Sequence, residues 1–201
     1  MRLTSIRTAL FWGLCLLVAL VSWRFLVLGV ELSMPTMAHH LDGRALALYA
    51  HIGLAPIALA VLPAQFNTAL RTRRPGLHRW TGRIYGVTIL VSGIAGFSLA
   101  LSTAAGPVAG AGFALLAVAW LAVTVRAIWL AMQGRIAAHR DWMIRSAALT
   151  LSAVTLRLYL PLLMAVFGFE TGYIVVAWLC WVPNVIIAEW FIRRRPALAP
   201  A

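Results

Sequence analysis

The sequence predicts an all-α integral membrane protein: a polytopic bundle of six transmembrane helices with both termini in the cytoplasm. Three observations predict it. Hydrophobic residues make up 63% of the 201 and charged residues only 11%, against roughly 45–50% and 25% in soluble domains. The apolar residues arrive in runs close to the roughly 20 that a helix needs to cross hydrocarbon. The arginines collect on alternate connections, as the positive-inside rule requires. Six crossings use nearly the whole chain, so residues 1–201 are expected to form a single integral membrane domain without an extramembrane module.

Helix one is expected over 8–30, after Arg2 and Arg7. Its apolar run is longer than the 7–15 residues of a signal-peptide core and no A-x-A site follows, so it reads as a membrane helix. A longer connection, Glu31 to Gly43, carries His39 and His40 and leads to helix two, 44–66, which contains Pro56. The next connection is basic, with Arg71, Arg73, Arg74, Arg79 and Arg83 in it or just after it, and helix three follows over 82–104. A minimal turn at Gly106-Pro107 leads to helix four, 108–132. Arg135, Arg140 and Arg145 surround the entry to helix five, 142–167, which contains Pro161. A second minimal turn, Gly168-Phe169-Glu170, leads to helix six, 171–192, which is interrupted by Pro183 and closed by Arg193, Arg194 and Arg195. Asn184 stands beside Pro183, placed to serve the carbonyl that the proline frees.

All seventeen basic residues are arginine, against five acids, for a net charge of +12. Thirteen lie on one side, which the rule makes cytoplasmic; Arg44 lies on the other, and Arg24, Arg126 and Arg157 fall within helices. The expected location is the inner (plasma) membrane, multi-pass, with the lipid bilayer and other membrane proteins as partners. No folded surface remains to carry a duplex footprint, so nucleic acid is not expected. Trp12, Trp80, Trp129, Trp142 and Trp190 fall near the basic helix ends as interfacial anchors, while Trp120, Trp178 and Trp181 lie deeper, where they pack or line a pocket. Cys15 and Cys180 sit in apolar runs as small core residues.

At 100° per residue, His139, Ser146, Thr150 and Arg157 form one stripe along helix five. Helix three offers His78, Gly82, Tyr85, Ser92 and Gly96; helix two offers Arg44, His51, Ala55, Ala58 and Gln65. Polar ends and small middles place helices two, three and five against one another at the bundle centre. His51 and Arg157 lie at broadly similar depth, where an ionisable group marks a functional candidate; hydrogen bonding to nearby carbonyls is the structural alternative. On the cytoplasmic side His78 and His139, with Arg79, Arg83, Arg140, Arg145 and Glu189, either anchor lipid phosphates or form a ligand site. If both rings point inward they could ligate one haem iron while arginines, Arg83 and Arg145 in the candidate set, neutralise its propionates, and a His78/His139/Glu189 metal site is the weaker variant. His78-Arg79-Trp80 and His139-Arg140-Asp141-Trp142 are 61 positions apart, compatible with duplication of a two-helix unit. No helix carries a mid-span carboxylate, which counts against proton-coupled transport. Walker, dinucleotide, nucleophile-elbow and His-Glu-x-x-His motifs are absent.

These residues together resemble a family of bacterial predicted membrane proteins described as domain of unknown function 2306. The resemblance covers about 45–192 and rests on His51, Gln65-Phe66, His78-Arg79-Trp80-x-Gly82-Arg83-x-Tyr85 and Trp120. It continues through His139-Arg140-x-Trp142-Met143-x-Arg145, Arg157-x-x-x-Pro161 and Trp178-x-x-Trp181-x-x-Asn184 with Glu189. It implies a shared membrane architecture and directs attention to these positions, without naming a reaction. A more distant likeness to transmembrane b-type cytochromes implies one haem b, or a quinone pocket, between helices two, three and five; the four deep His of a di-haem protein are not present. The candidate cofactor-binding set is therefore His51, His78, His139, Arg157, Arg83, Arg145 and Tyr85, with a polar cluster of Gln65, Asn184 and Glu189. The expected function is that of an integral membrane protein of uncharacterised role, with a redox component binding haem b or quinone as the most concrete mechanism. The alternatives are a non-enzymatic assembly, lipid-binding or interaction protein, and a small-molecule or anion transporter.

Overall fold

The computed structural model describes residues 2–194, with side chains from Ile6 onward, so the Arg2 and Arg195 side chains counted above lie outside the described residues. Nine α-helices and one 3-10 turn account for nearly all of this span, with no strand among the described residues. Four helical stretches are long and apolar enough to cross a bilayer, or five if one bent pair counts as a span. The described chain is thus an all-helical bundle built for hydrocarbon.

The bent pair is the expected helix one. It divides into α1, Arg2–Ser22, and α2, Phe25–Ser33, whose axes differ by 70°. A straight helix over 8–30 would drag Arg24 through the apolar layer. Instead the chain turns there, and Arg24 donates to the Ser33 carbonyl through Nε at 3.1 Å and Nη2 at 2.6 Å. The connection after it is ordered as a 3-10 turn, Pro35–His40. Helix α3, Leu41–Phe66, has non-helical backbone at Asp42, Gly43 and Arg44, so its regular part begins where helix two was expected.

A short helix α4, Thr68–Arg73, capped by the Asn67 side chain, leads to α5, Pro75–Ala100, and α6 follows over Gly106–Met132. The most extensive pairing is α3 against α5. Small residues allow it: a Cβ on Gly96 would stand 2.8 Å from the His51 ring, so only glycine lets that imidazole lie against α5.

The last apolar stretch, Ile136–Arg193, comprises α7, Ile136–Thr150; α8, Ser152–Leu179; and α9, Val182–Arg193. It is doubled over. Gly168 has φ 75° and ψ 172°, a backbone region essentially restricted to glycine. A Cβ on Gly172 would lie 2.9 Å from the Leu163 backbone, whereas nine residues of straight helix span about 13.5 Å. Thr155 Oγ1 donates to the Cys180 carbonyl, and Arg145 pairs with Glu189. These contacts define an antiparallel hairpin about Gly168. Pro183 does not interrupt a helix, as the sequence suggested; the break falls at Cys180-Trp181, and Pro183 opens α9, where its missing N–H is no loss.

The core has a central cluster including Cys15, Leu59, Leu62, Tyr85 and Ile89, and a second around Phe25, Leu48 and Leu99. Both cysteines are free and fully buried, as small core residues. Large apolar side chains such as Leu26, Val27, Leu46 and Val166 point outward. In water such a surface would aggregate; in lipid it is the solvated face.

Candidate functional site

At mid-bundle, hydroxyls from three helices close into one network. Tyr85 on α5 is buried, and its hydroxyl lies 2.9 Å from Ser146 Oγ and 2.7 Å from Thr150 Oγ1 on α7. From α6, Trp120 Nε1 donates to Thr150 Oγ1 at 2.9 Å, and Thr124 Oγ1 meets Ser146 Oγ at 2.7 Å. Each polar group has a partner, so the network costs little despite its burial. Tyr85 stands seven positions after His78 and Ser146 seven after His139, so the 61-residue offset of the two motifs is also the offset of this hydrogen-bonded pair. Tyr85, expected to touch a cofactor, has its hydroxyl bonded to two α7 side chains.

Trp120 and Thr150 also form the floor of a cavity of about 650 Å³ that extends toward the arginine-poor end between α1, α3, α5, α6 and α8. His51 and Arg157, singled out for their depth, both line it. Ser92 O lies 2.8 Å from His51 Nδ1; a carbonyl can only accept, so Nδ1 carries the proton and Nε2 is the ring's free acceptor. Arg157 donates through Nη1 to the Ala153 carbonyl at 2.8 Å and through Nη2 to Ser22 Oγ at 2.7 Å. Its side-chain hydrogen bonds thus go to α8's preceding turn and to α1, and not to the carbonyl that Pro161 frees.

Two lining residues escaped the sequence reading. Arg24 reaches the cavity because the chain bends beside it, and the signal for that was an arginine in the middle of an apolar run. His40, expected in an outer loop, is buried on the cavity wall with Nδ1 3.4 Å from Ser102 Oγ. No Asp or Glu among the described residues lines the cavity. Two guanidinium groups therefore line the same space with no carboxylate among the described residues beside them.

The arginine-rich end holds the rest of the predicted set. His139 Nδ1 donates to the Ala127 carbonyl at 2.8 Å, leaving Nε2 as the free edge, and His78 Nδ1 is buried without a partner among the described residues. His78 and His139 stand near the starts of α5 and α7, whose Tyr85 and Ser146, each seven residues further on, are hydrogen-bonded to each other. A fixed tautomer with a free nitrogen suits iron ligation. Of the two arginines, Arg145 makes a two-point pair with Glu189, at 2.5 and 3.1 Å, and Arg83 has its guanidinium over the Trp80 ring. Glu189 is thereby engaged, and no group of three His, Cys, Asp or Glu among the described residues could hold a metal ion. The carboxylate of the expected His78/His139/Glu189 metal site thus faces an arginine and not the two histidines.

The polar cluster of Gln65, Asn184 and Glu189 is not one cluster. Gln65 Nε2 donates to Thr81 Oγ1 at 2.8 Å and ties α3 to α5. Asn184 Nδ2 donates to the Ala148 and Cys180 carbonyls and to Thr155 Oγ1, and so joins α9 to α7 and α8. Of the expected tryptophan anchors, Trp80, Trp129, Trp142 and Trp190 each carry an arginine over the ring, a cation–π contact suited to the headgroup layer.

A family model described as predicted membrane protein (DUF2306) matches residues 48–192. No curated protein and no solved structure matches the chain.

Proposed function

This chain belongs to the DUF2306 family of predicted membrane proteins, and from that premise we propose that it is a six-span protein of the bacterial inner (plasma) membrane that holds a lipid-soluble ligand in its cavity. Counting the Gly168 hairpin as two crossings and the α1–α2 pair as one supports six, and an even number puts both termini on one side. The concentration of arginine around α4 and the starts of α5 and α7 makes that side cytoplasmic. The cavity then opens in the outer half.

The observation that carries the reading is the cavity itself. About 650 Å³ lies within the 300–1,000 Å³ range of small-molecule sites, and its apolar walls with a few convergent polar groups have the character of such sites too. His51 offers an acceptor, Arg157 offers donors, and the floor residues Trp120 and Thr150 are hydrogen-bonded to each other. A quinone or a single-chain lipid suits such a space, and binding without chemistry suffices to explain it.

A second reading rests on the other end of the bundle, where the fixed His139 ring and the partnerless His78 nitrogen favour haem b held by these two residues. Haem would supply one-electron exchange there; the protein's own part would be to orient His139 through the Ala127 carbonyl.

One preparation tests both. Protein purified in mild detergent is extracted with organic solvent, and the extract is compared by mass spectrometry with that of His51→Ala and Arg157→Gln. A lipid-soluble compound enriched with the wild type and depleted in both variants is expected. Equal extracts from all three proteins would remove the cavity reading. The absorption spectrum of the same sample, oxidised and reduced, addresses the second: a Soret band lost in His78→Ala and His139→Ala supports haem, and no band disposes of it.

A further inference from the structure

We propose that the cavity ligand is a lipophilic anion, its carboxylate or phosphate head held between Arg157 and Arg24 and its hydrocarbon body laid against the apolar walls. This rests on the reading of the cavity as a ligand site and adds the charge and shape of what fills it.

The two arginines come from distant parts of the chain and are brought together by two features of the fold. Arg157 Nη2 donates to Ser22 Oγ, on the last residue of α1, and Arg24 stands two residues on, inside the 70° bend. The same bend lets Arg24 turn back onto the Ser33 and Val21 carbonyls. Carbonyls and a hydroxyl orient both guanidinium groups but leave their charge uncancelled, and no acid among the described residues lines the cavity to cancel it. Of its five N–H groups, Arg157 engages two among the described residues. Donors held in place around free positive charge are the arrangement that recognises an oxyanion.

The walls decide the rest of the ligand. Leu59, Phe113, Leu116, Leu156 and Leu160 line the same space, and a bare inorganic anion would leave them without contact. An amphiphile with one charged end satisfies both parts. A neutral quinone would satisfy the walls and leave the charge unpaired.

The test uses the full chain in a neutral detergent and counts bound molecules by native mass spectrometry, in which bulk partition into micelles does not register. Decanoate, decyl phosphate, decanol and inorganic phosphate are titrated in turn. Decanoate or decyl phosphate is expected to bind as one copy about tenfold or more tighter than decanol, as a charge-assisted hydrogen bond should distinguish them. Arg157→Gln should bring the anionic ligands down to the level of decanol, Arg24→Gln should weaken them severalfold, and Arg157→Lys should retain part of the preference. If Arg157→Gln does not fold, Arg24→Gln carries the test. A preference for decyl phosphate over decanoate, or the reverse, supports the proposal and identifies the head. Decanol binding as tightly as the anions overturns it while leaving the cavity reading intact, and inorganic phosphate matching decyl phosphate overturns it in favour of a small-anion site. Failure of every amphiphile to bind removes both.

Discussion

Single residues in this protein act through what hydrocarbon makes costly. His51 and Arg157 were legible in the sequence because an imidazole and a guanidinium at that depth need partners, and both line the cavity. Tyr85, on the stripe of the expected helix three, has its hydroxyl bonded to Ser146 and Thr150. Replacing Tyr85 with Phe removes that hydroxyl but leaves Ser146 bonded to Thr124 and Thr150 bonded to Trp120. The expected loss is about 1 kcal/mol, read as a small fall in the thermal unfolding midpoint in detergent. Replacing it with Ala should cost about 3–5 kcal/mol, because a large cavity joins the loss of the bonds. Equal effects of the two substitutions would mean that the ring is not packed as described.

At the scale of elements, the turns decide the architecture. Gly168 reverses the chain in a conformation that a side chain cannot adopt without strain, so Gly168→Ala should destabilise the hairpin by about 1–3 kcal/mol. Gly53 gives the contrast. It lies within α3, and a methyl group there would meet nothing within 4 Å, so Gly53→Ala should be neutral or stabilise by up to about 1 kcal/mol through helix propensity. Thermal unfolding of the two variants side by side checks the pair. The Gly168-Phe169-Glu170 turn was readable from its composition. The bend at Ser22–Phe25 was not, because nothing in an apolar run says which way a buried arginine will be accommodated; that depends on the Ser33 carbonyl being within reach.

For the whole molecule, the arginine distribution gives a sidedness that chemical labelling can read. With Cys15 and Cys180 fully buried, cysteines introduced singly at Thr36 and Thr72, both exposed on opposite ends of the bundle, report the surrounding compartment. A membrane-impermeant maleimide applied to intact cells should label Thr36→Cys and spare Thr72→Cys, and inside-out vesicles should reverse the pattern. Labelling of Thr72→Cys in intact cells would invert the proposed topology.

By itself the sequence determined the solvent of this protein, the helical class and the glycine turn at Gly168, because hydrocarbon acts on composition and run length, which are local properties. It also determined that His51 and Arg157 needed explaining, since depth along a helix can be counted. Only the tertiary structure decided who answers them. Arg157 meets Ser22 at the end of α1, His51 meets Ser92 across a helix pair, and Glu189 turns to Arg145. The physical reason is that hydrogen bonds and ion pairs act over a few ångströms, and which groups come that close is set by packing between helices far apart in the chain.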